Sequence, residues 1–483
     1  MTAGALPASK AYRFWHPISW SMLVAAVGLA QQAWSSIDCD VSWLITTAER
    51  VLDGATLYRD IEEVNPPASV LIYMPAVALA RWLALRVEAV TVGMVAVLAG
   101  FSILQAGRIL NLPVPTRGPL AAAAAFVLLV LPADLFAQRE HIALIMGLPM
   151  LALLVTRIEG RSVGRIDVWT AGFGAGIMVA IKPHLVLGLL PVVGWAIMRQ
   201  RSLWRALGSE WIALGVLCIG YAAAVLLAFP LYLERMLPLL RLVYLPGRDS
   251  WAHLLTGTMV LIPAVLAALT VWLARGRVTA PAAAAMLAAG GFVVAGLVQG
   301  KGYLNHGYPA VAMGFLAVAL ELSRPGKAGR LGALCGAVFA LISTYGYAHL
   351  PEPYALRDAV VRAGPPHPKL IGVSFDFGLG HPLTRWVGGR WVGRRGSLWV
   401  TGNARQQLED PSLAPARRAA FNQAEAKDAA MLAADIVRER PDIVLVDANP
   451  GNAWIAVHPV VGRSMMAYHP KTKVGAVTLW VRR

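Results

Sequence analysis

Charge is what this sequence has least of. Only 14% of its 483 residues are Asp, Glu, Lys or Arg, where a soluble globular chain carries about 25%. Acidic side chains are the scarcer sign, 27 against 43 Lys and Arg, which leaves a net charge of +16. Cysteine is nearly absent. Of Cys39, Cys218 and Cys335, the last two lie inside apolar runs, so no disulfide framework is implied. No Cys/His cluster has zinc-site spacing. Nucleotide fingerprints, phosphate-binding loops and nucleophile triads are missing too. A disulfide-built domain and a zinc module are thereby excluded, and a nucleotide-dependent activity is disfavoured.

What is present is apolar. Hydrophobic residues make up 57% of the chain and the mean hydropathy is +0.58. The apolar residues fall in long runs separated by short basic loops, the pattern of many membrane spans. A basic chain that was soluble would suggest nucleic acid. Here the basic residues sit where the positive-inside rule expects them, so a nucleic-acid partner is not implied. Lys10 and Arg13 precede an apolar run, residues 16–34, that is too long for a signal-peptide core. It reads as a retained first span. Further spans are expected near 87–107, 118–133, 142–156, 168–182, 184–198, 210–230, 253–274, 280–299, 304–322 and 331–349.

Residues 68–84 are apolar enough to be another span, but the arginines argue otherwise. If 68–84 does not cross, the loops with Arg108/Arg117, Arg157/Arg161/Arg165, Arg199/Arg201/Arg205, Arg275/Arg277 and Arg324/Lys327/Arg330 share one side with the N-terminal tail. The expectation is therefore a mainly α membrane protein of about eleven transmembrane helices, with 68–84 a short helix in the outer leaflet. The N-terminus is cytoplasmic. A transmembrane domain spans 1–350 with a large outer loop at 35–86, and 351–483 forms a small α/β domain on the periplasmic side.

This threading brings the ionisable residues at the membrane edge to the outer face: Arg139, Glu140, His141, Lys182, His184, Lys301 and His306. Such groups are costly in a membrane and mark function by default, although each alone is compatible with a snorkelling or packing role. The first outer loop adds Asp38 and Asp40, then a helix with apolar residues at Val41, Leu44, Ile45, Ala48, Val51 and Leu52, which Gly54 ends. Asp40 at the start of that helix also suits a plain N-cap. The segment 231–252, with Arg235, Arg241, Arg248 and Asp249, reads either as a lid or as an interfacial amphipathic helix.

The loop resembles that of the GT-C superfamily of membrane glycosyltransferases. These carry a catalytic Asp soon after the first span, then a helix, a G-x-x-x-Y-x-D turn and a Pro-Pro pair. The matching residues are Asp40, Gly54, Tyr58, Asp60 and Pro66-Pro67. A second acidic residue in the next outer turn matches Glu140, and the basic tip at Lys182 and the turn Gln299-Gly300-Lys301-Gly302 also fit. The pattern departs at Val41, where many relatives have a second acidic residue.

The resemblance implies a bacterial inner-membrane enzyme. It would move a sugar, with inversion, from a polyprenyl-phosphate-linked donor to a glycan, lipid or protein acceptor, among membrane lipids. Asp40 would be the catalytic base, with Asp38 its possible substitute. Tyr58, Asp60, Arg139, Glu140, His141, Lys182, His184, Lys301 and His306 would face substrate, the cations stabilising the phosphate that leaves. No metal is required, although a divalent cation (Mg or Mn) between Asp40 and Glu140 is compatible with hard oxygen ligands. The rival reading is a lipid-linked oligosaccharide flippase without transferase activity, which should show inverted repeats or charges through the bilayer depth. Neither pattern is visible.

Beyond residue 351, strands are expected at 369–375, 442–447 and 474–481, with a helix at 414–439. Trp386 and Trp391 lie in the loops between, as candidates for stacking on sugars or for a membrane interface.

Overall fold

The structure, a computed structural model, describes residues 17–324, 337–338, 340–345, 354–448 and 451–483. Lys10, Arg13, Lys327, Arg330 and most of the span expected at 331–349 lie outside the described residues. In chain order the helices are Pro17–Trp34 (α1), Cys39–Leu52 (α2), Ala68–Leu71 (α3), Met74–Leu83 (α4), Val87–Leu110 (α5) and Val114–Ala125 (α6). Arg139–Ile158 (α7), Arg165–Ile181 (α8), Leu190–Gln200 (α9), Leu203–Ala206 (α10) and Ser209–Ala228 (α11) follow. Leu237–Leu239 (α12), Trp251–Thr256 (α13), Thr258–Ala274 (α14), Ala280–Gln299 (α15) and Leu304–Leu322 (α16) complete the first part.

Among the described residues, five helices are long and apolar enough to cross a membrane: α5, α7, α11, α15 and the continuous stretch Trp251–Ala274. Shorter apolar helices accompany them, so the chain is a multi-pass membrane protein, and the described residues contain fewer clear spans than the eleven expected. Two runs read as single spans are interrupted. The run at 118–133 is α6 continued by a π turn, Phe126–Val130, and that at 184–198 is a 3-10 turn, Pro183–Gly188, followed by the eleven-residue α9. The run at 68–84 folds as α3 and α4. At 1.5 Å per residue α4 extends only about 15 Å, half a hydrocarbon core, and it ends in a left-handed cap at Ala84 (φ 52°).

The chain divides into two compact units. The first, residues 1–35, 92–220 and 249–348, is the helical bundle. Its arginine-bearing hairpin ends meet one another: Arg108 pairs with Asp167, Arg157 with Glu210 at 2.8 Å, Arg161 donates to the Leu110 carbonyl at 3.1 Å, and Arg324 to that of Arg277 at 3.2 Å. Small residues let the helices approach. A Cβ on Gly172 would lie 2.2 Å from the Glu210 carbonyl oxygen, and one on Gly174 2.4 Å from that of Met146, the close backbone packing typical of membrane helices.

The second unit joins residues 36–91, 221–248 and 349–483. Its sheet contains Lys369–Val373 (β1), Arg390–Trp391 (β2), Ile443–Asp447 (β3), Tyr468–Val474 (β4) and Val477–Arg482 (β5), in the order β2-β1-β3-β5-β4. β1 runs parallel to β2 and β3, while β5 runs antiparallel to β3 and β4. The expected helix is Pro415–Glu439. It buries Ala429, Leu432, Ala433 and Ile436, one helical face, against Ile371, Val373, Val444 and Val446.

The outer loop is built onto this domain. The Arg385 guanidinium grips Glu49 at 2.8 and 3.0 Å and reaches Glu88 at 2.6 Å. Arg395 pairs with both Glu62 and Asp428, and Arg50 donates to the Gly393 carbonyl at 2.7 Å. Residues 232–244 form a helix interrupted by π turns, and Val243 packs with Val400, Ala404, Phe421 and Ala424.

Candidate functional site

In the bundle, three separate segments meet at one carboxylate. Glu140 stands in the first turn of α7, where an acidic side chain complements the helix N-terminus. Its Oε1 accepts from the Lys182 ammonium, from Asn305 Nδ2 at 3.2 Å, and lies 3.5 Å from His306 Nε2. All four side chains are buried.

Local chain geometry explains the meeting. Lys182 is extended (φ −146°, ψ 101°) because Pro183 follows it, so α8 stops and its last side chain turns inward. Asn305 and His306 open α16 after a turn with two left-handed glycines, Gly300 and Gly302. Arg139, beside Glu140, is buried too. His184 is half-buried and feels the charges of Lys182 and Glu140. Lys301 is half-buried in the glycine turn, which is tied to the next segment by Asp249 N–H donating to the Gly300 carbonyl at 2.8 Å.

His141 is held differently. Its Nδ1 accepts from the Ala137 N–H at 3.0 Å, so Nε2 carries the proton and donates to the Leu128 carbonyl at 2.7 Å. Its ring also meets Phe136 and Tyr308. Both nitrogens being engaged, His141 fixes the turn before α7. Ala133 and Ala137 in that turn have φ of 47° and 62°, strain of about 1 kcal/mol or more each that the surrounding contacts must hold.

Among the described residues, Glu140 Oε2 and His306 Nδ1 have no hydrogen-bond partner. Buried polar groups are nearly always satisfied, so the cluster keeps an acceptor and a ring nitrogen for something else. The donor set does not suit a divalent cation at Glu140, because an ammonium already occupies its Oε1 and Arg139 adjoins it. Among the described residues no group of three or more His, Cys, Asp or Glu side chains gathers as a metal site.

In the second unit the first outer loop orders itself around Asp38. Its Oδ1 accepts from Asp40 N–H at 2.7 Å and Val41 N–H at 3.4 Å, so Asp38, not Asp40, is the N-cap of α2. The capping role considered for Asp40 thus belongs to its neighbour two residues back, and Asp40 sits half-buried in the first turn. Burial and the two flanking carboxylates push the thiol of Cys39, between them, far up.

Tyr58 and Asp60 build the turn. Tyr58 is fully buried at φ 69°, donates to the Asn65 carbonyl at 2.8 Å and packs on Tyr232. The Asp60 carboxylate accepts from Thr56 N–H at 2.8 Å and pairs with Arg59.

Glu63, Asn305 and His381 were not among the residues singled out from the sequence. Glu63 is buried and accepts from Trp43 Nε1, one turn after Asp40, and from Asn65. Asn305 adjoins His306, which was a signal of a kind. His381 is fully buried between Trp43, Phe377 and Trp391, with neither ring nitrogen hydrogen-bonded. Burial, aided by Arg385, pushes its pKa down to about 3.

No family model and no curated protein matches this sequence. Among solved structures, the chain matches ArnT from Cupriavidus metallidurans bound to undecaprenyl phosphate, with a TM-score of 0.58. The two are 13% identical, and the match covers 96% of this chain and 97% of that one. The arabinofuranosyltransferase AftD from Mycobacteria also matches, at a TM-score of 0.44 and 14% identity, over 96% of this chain and 40% of AftD. The chain has the fold of ArnT. At this identity the likeness to ArnT is one of fold, and it extends over nearly the whole length of both chains.

Proposed function

We propose that this chain is a membrane glycosyltransferase that takes a sugar from a polyprenyl-phosphate-linked donor and passes it to a hydroxyl of a glycan, lipid or protein acceptor. The reaction takes place at the outer face of a bacterial inner membrane, where the domain 351–483 also lies. The observation that carries this reading is the incompletely satisfied Glu140–Lys182–Asn305–His306 cluster in a bundle with the fold of ArnT. ArnT was solved with undecaprenyl phosphate bound.

In the proposed reaction the acceptor oxygen attacks the anomeric carbon as the bond to the lipid phosphate breaks. Asp40 takes the hydroxyl proton, and the single displacement inverts the centre. The departing phosphate gains negative charge. Lys182, Arg139, Lys301, His184 and His306 stabilise it, with Glu140 holding Lys182 in place. Asp38, Tyr58, Asp60 and His141 serve this chemistry indirectly, by shaping the two turns. Incubation of the purified protein with radiolabelled polyprenyl-phosphate sugars tests the proposal. Label should pass to an acceptor fraction with release of polyprenyl phosphate. Donor movement between leaflets without any transfer would overturn it in favour of a flippase.

A further inference from the structure

The bundle contains a second, chemically different space. At the end away from Glu140, between α5, α6, α7, α15 and α16, lies a cavity of about 410 Å³. It runs along α7 from Leu148 to Val155, roughly 10 Å at helical rise. Its walls are Ala, Leu, Val, Ile and Met side chains. It opens at the bundle surface, where Leu104, Gly107, Asn111 and Arg117 are exposed, and an apolar cavity does not hold ordered water. This one has the size of a ligand site.

Its polar residues are Arg108, Asn111 and Arg117. Arg108 is paired with Asp167. Arg117 is exposed; its Nε donates to the Leu112 carbonyl at 2.6 Å and its Nη2 to Asn111 Oδ1 at 2.9 Å. No carboxylate among the described residues pairs with it. Arg157, Arg161 and Arg324 belong to the same end of the bundle. An apolar space with an arginine at its rim lacking an acidic partner matches an amphiphile with a hydrocarbon chain and an anionic head.

We propose that this cavity is a binding site for an acidic phospholipid, one acyl chain lying along Leu148–Val155 and the phosphate head meeting Arg117. Basic pockets between membrane helices recognise anionic heads in this way. The inference is independent of the transferase reading, since none of its residues belongs to the cluster around Glu140.

Native mass spectrometry of the full chain in mixed nanodiscs of phosphatidylglycerol and phosphatidylcholine tests it. The wild type should retain one phosphatidylglycerol in preference to phosphatidylcholine. Arg117→Glu should cut that preference by roughly fivefold or more, the contribution of one arginine near an anionic surface. Gly107→Phe should abolish retention by filling the space. A Cβ at Gly107 meets nothing within 4 Å, so the helix itself is undisturbed. Equal retention of both lipids, or a phosphatidylglycerol adduct unchanged in both variants, would overturn the proposal. So would displacement of the adduct by polyprenyl phosphate, which would make the cavity part of the donor site.

Discussion

The two units each bury a cluster of charges, and the clusters are made differently. In the second unit, Arg385 and Arg395 are matched by Glu49, Glu88, Glu62 and Asp428 in several directions at once. Asp428 also accepts from the Thr401 hydroxyl and, at 3.1 Å, its N–H. That polar network is closed, and closed networks hold structure. Around Glu140, by contrast, Lys182, Asn305 and His306 crowd on one carboxylate oxygen, while the other oxygen and His306 Nδ1 have no partner among the described residues. A cluster left open in this way is poor scaffolding and good binding chemistry. The contrast teaches that charge burial alone does not mark a site; how completely it is satisfied does.

The sharpest way to break the comparison is to damage both clusters. Arg395→Ala strands the buried Asp428 and the half-buried Glu62 and should destabilise the second unit by about 3–5 kcal/mol. Thermal unfolding of purified protein checks this, and an unchanged melting temperature would mean the network is not structural. Lys182→Met alone would strand the buried Glu140 carboxylate, so the comparable variant is Lys182→Met/Glu140→Gln, which removes both charges. It should melt within a few degrees of wild type but bind a polyprenyl-phosphate donor at least about tenfold more weakly, a charged hydrogen bond being worth ~1.5–3 kcal/mol. Equal damage to stability and donor affinity would erase the distinction drawn between the clusters.

A third effect, seen only as pH falls, concerns His381. Its folded pKa, about 3, lies below the unfolded value near 6.5. The unfolded chain therefore binds the extra proton first as pH falls. Stability contributed by the neutral imidazole is complete above about pH 6.5 and declines toward pH 3, by at most ~1.4 kcal/mol per pH unit. In unfolding measurements from pH 7 to 4, His381→Phe should flatten that slope; a parallel slope in the variant would refute the assignment.

Much of this was legible in the sequence where one physical signal dominated. The uniform apolar run of α16 was bounded at 304–322, as the structure has it. The helix Pro415–Glu439 and strands β1, β3 and β5 were read from periodicity within a few residues. Strand β4 escaped because it is an exposed, polar edge with no alternating pattern, and β2 because it is two residues long.

The convergence of Arg139–Glu140, Lys182 and His306 at one end of the bundle followed from threading the basic loops to the other. The pairing of Lys182 with Glu140 did not. Glu63 and His381 were hidden because their partners lie far off in sequence or are aromatic rings. The cap shifted from Asp40 to Asp38 because two carboxylates stood two residues apart at the same helix start, and only backbone geometry chooses between them.

That shift sharpens the central test. Because Asp38 holds the cap, Asp40→Asn leaves the start of α2 intact and removes only a proton acceptor. Transfer from a radiolabelled polyprenyl-phosphate sugar should be measured for purified wild type, Asp40→Asn and Asp38→Asn. Asp40→Asn should insert and melt like wild type yet turn over at least roughly a hundredfold more slowly. Asp38→Asn, which keeps an oxygen for the cap, should lose far less. Near-normal transfer by Asp40→Asn would contradict the account.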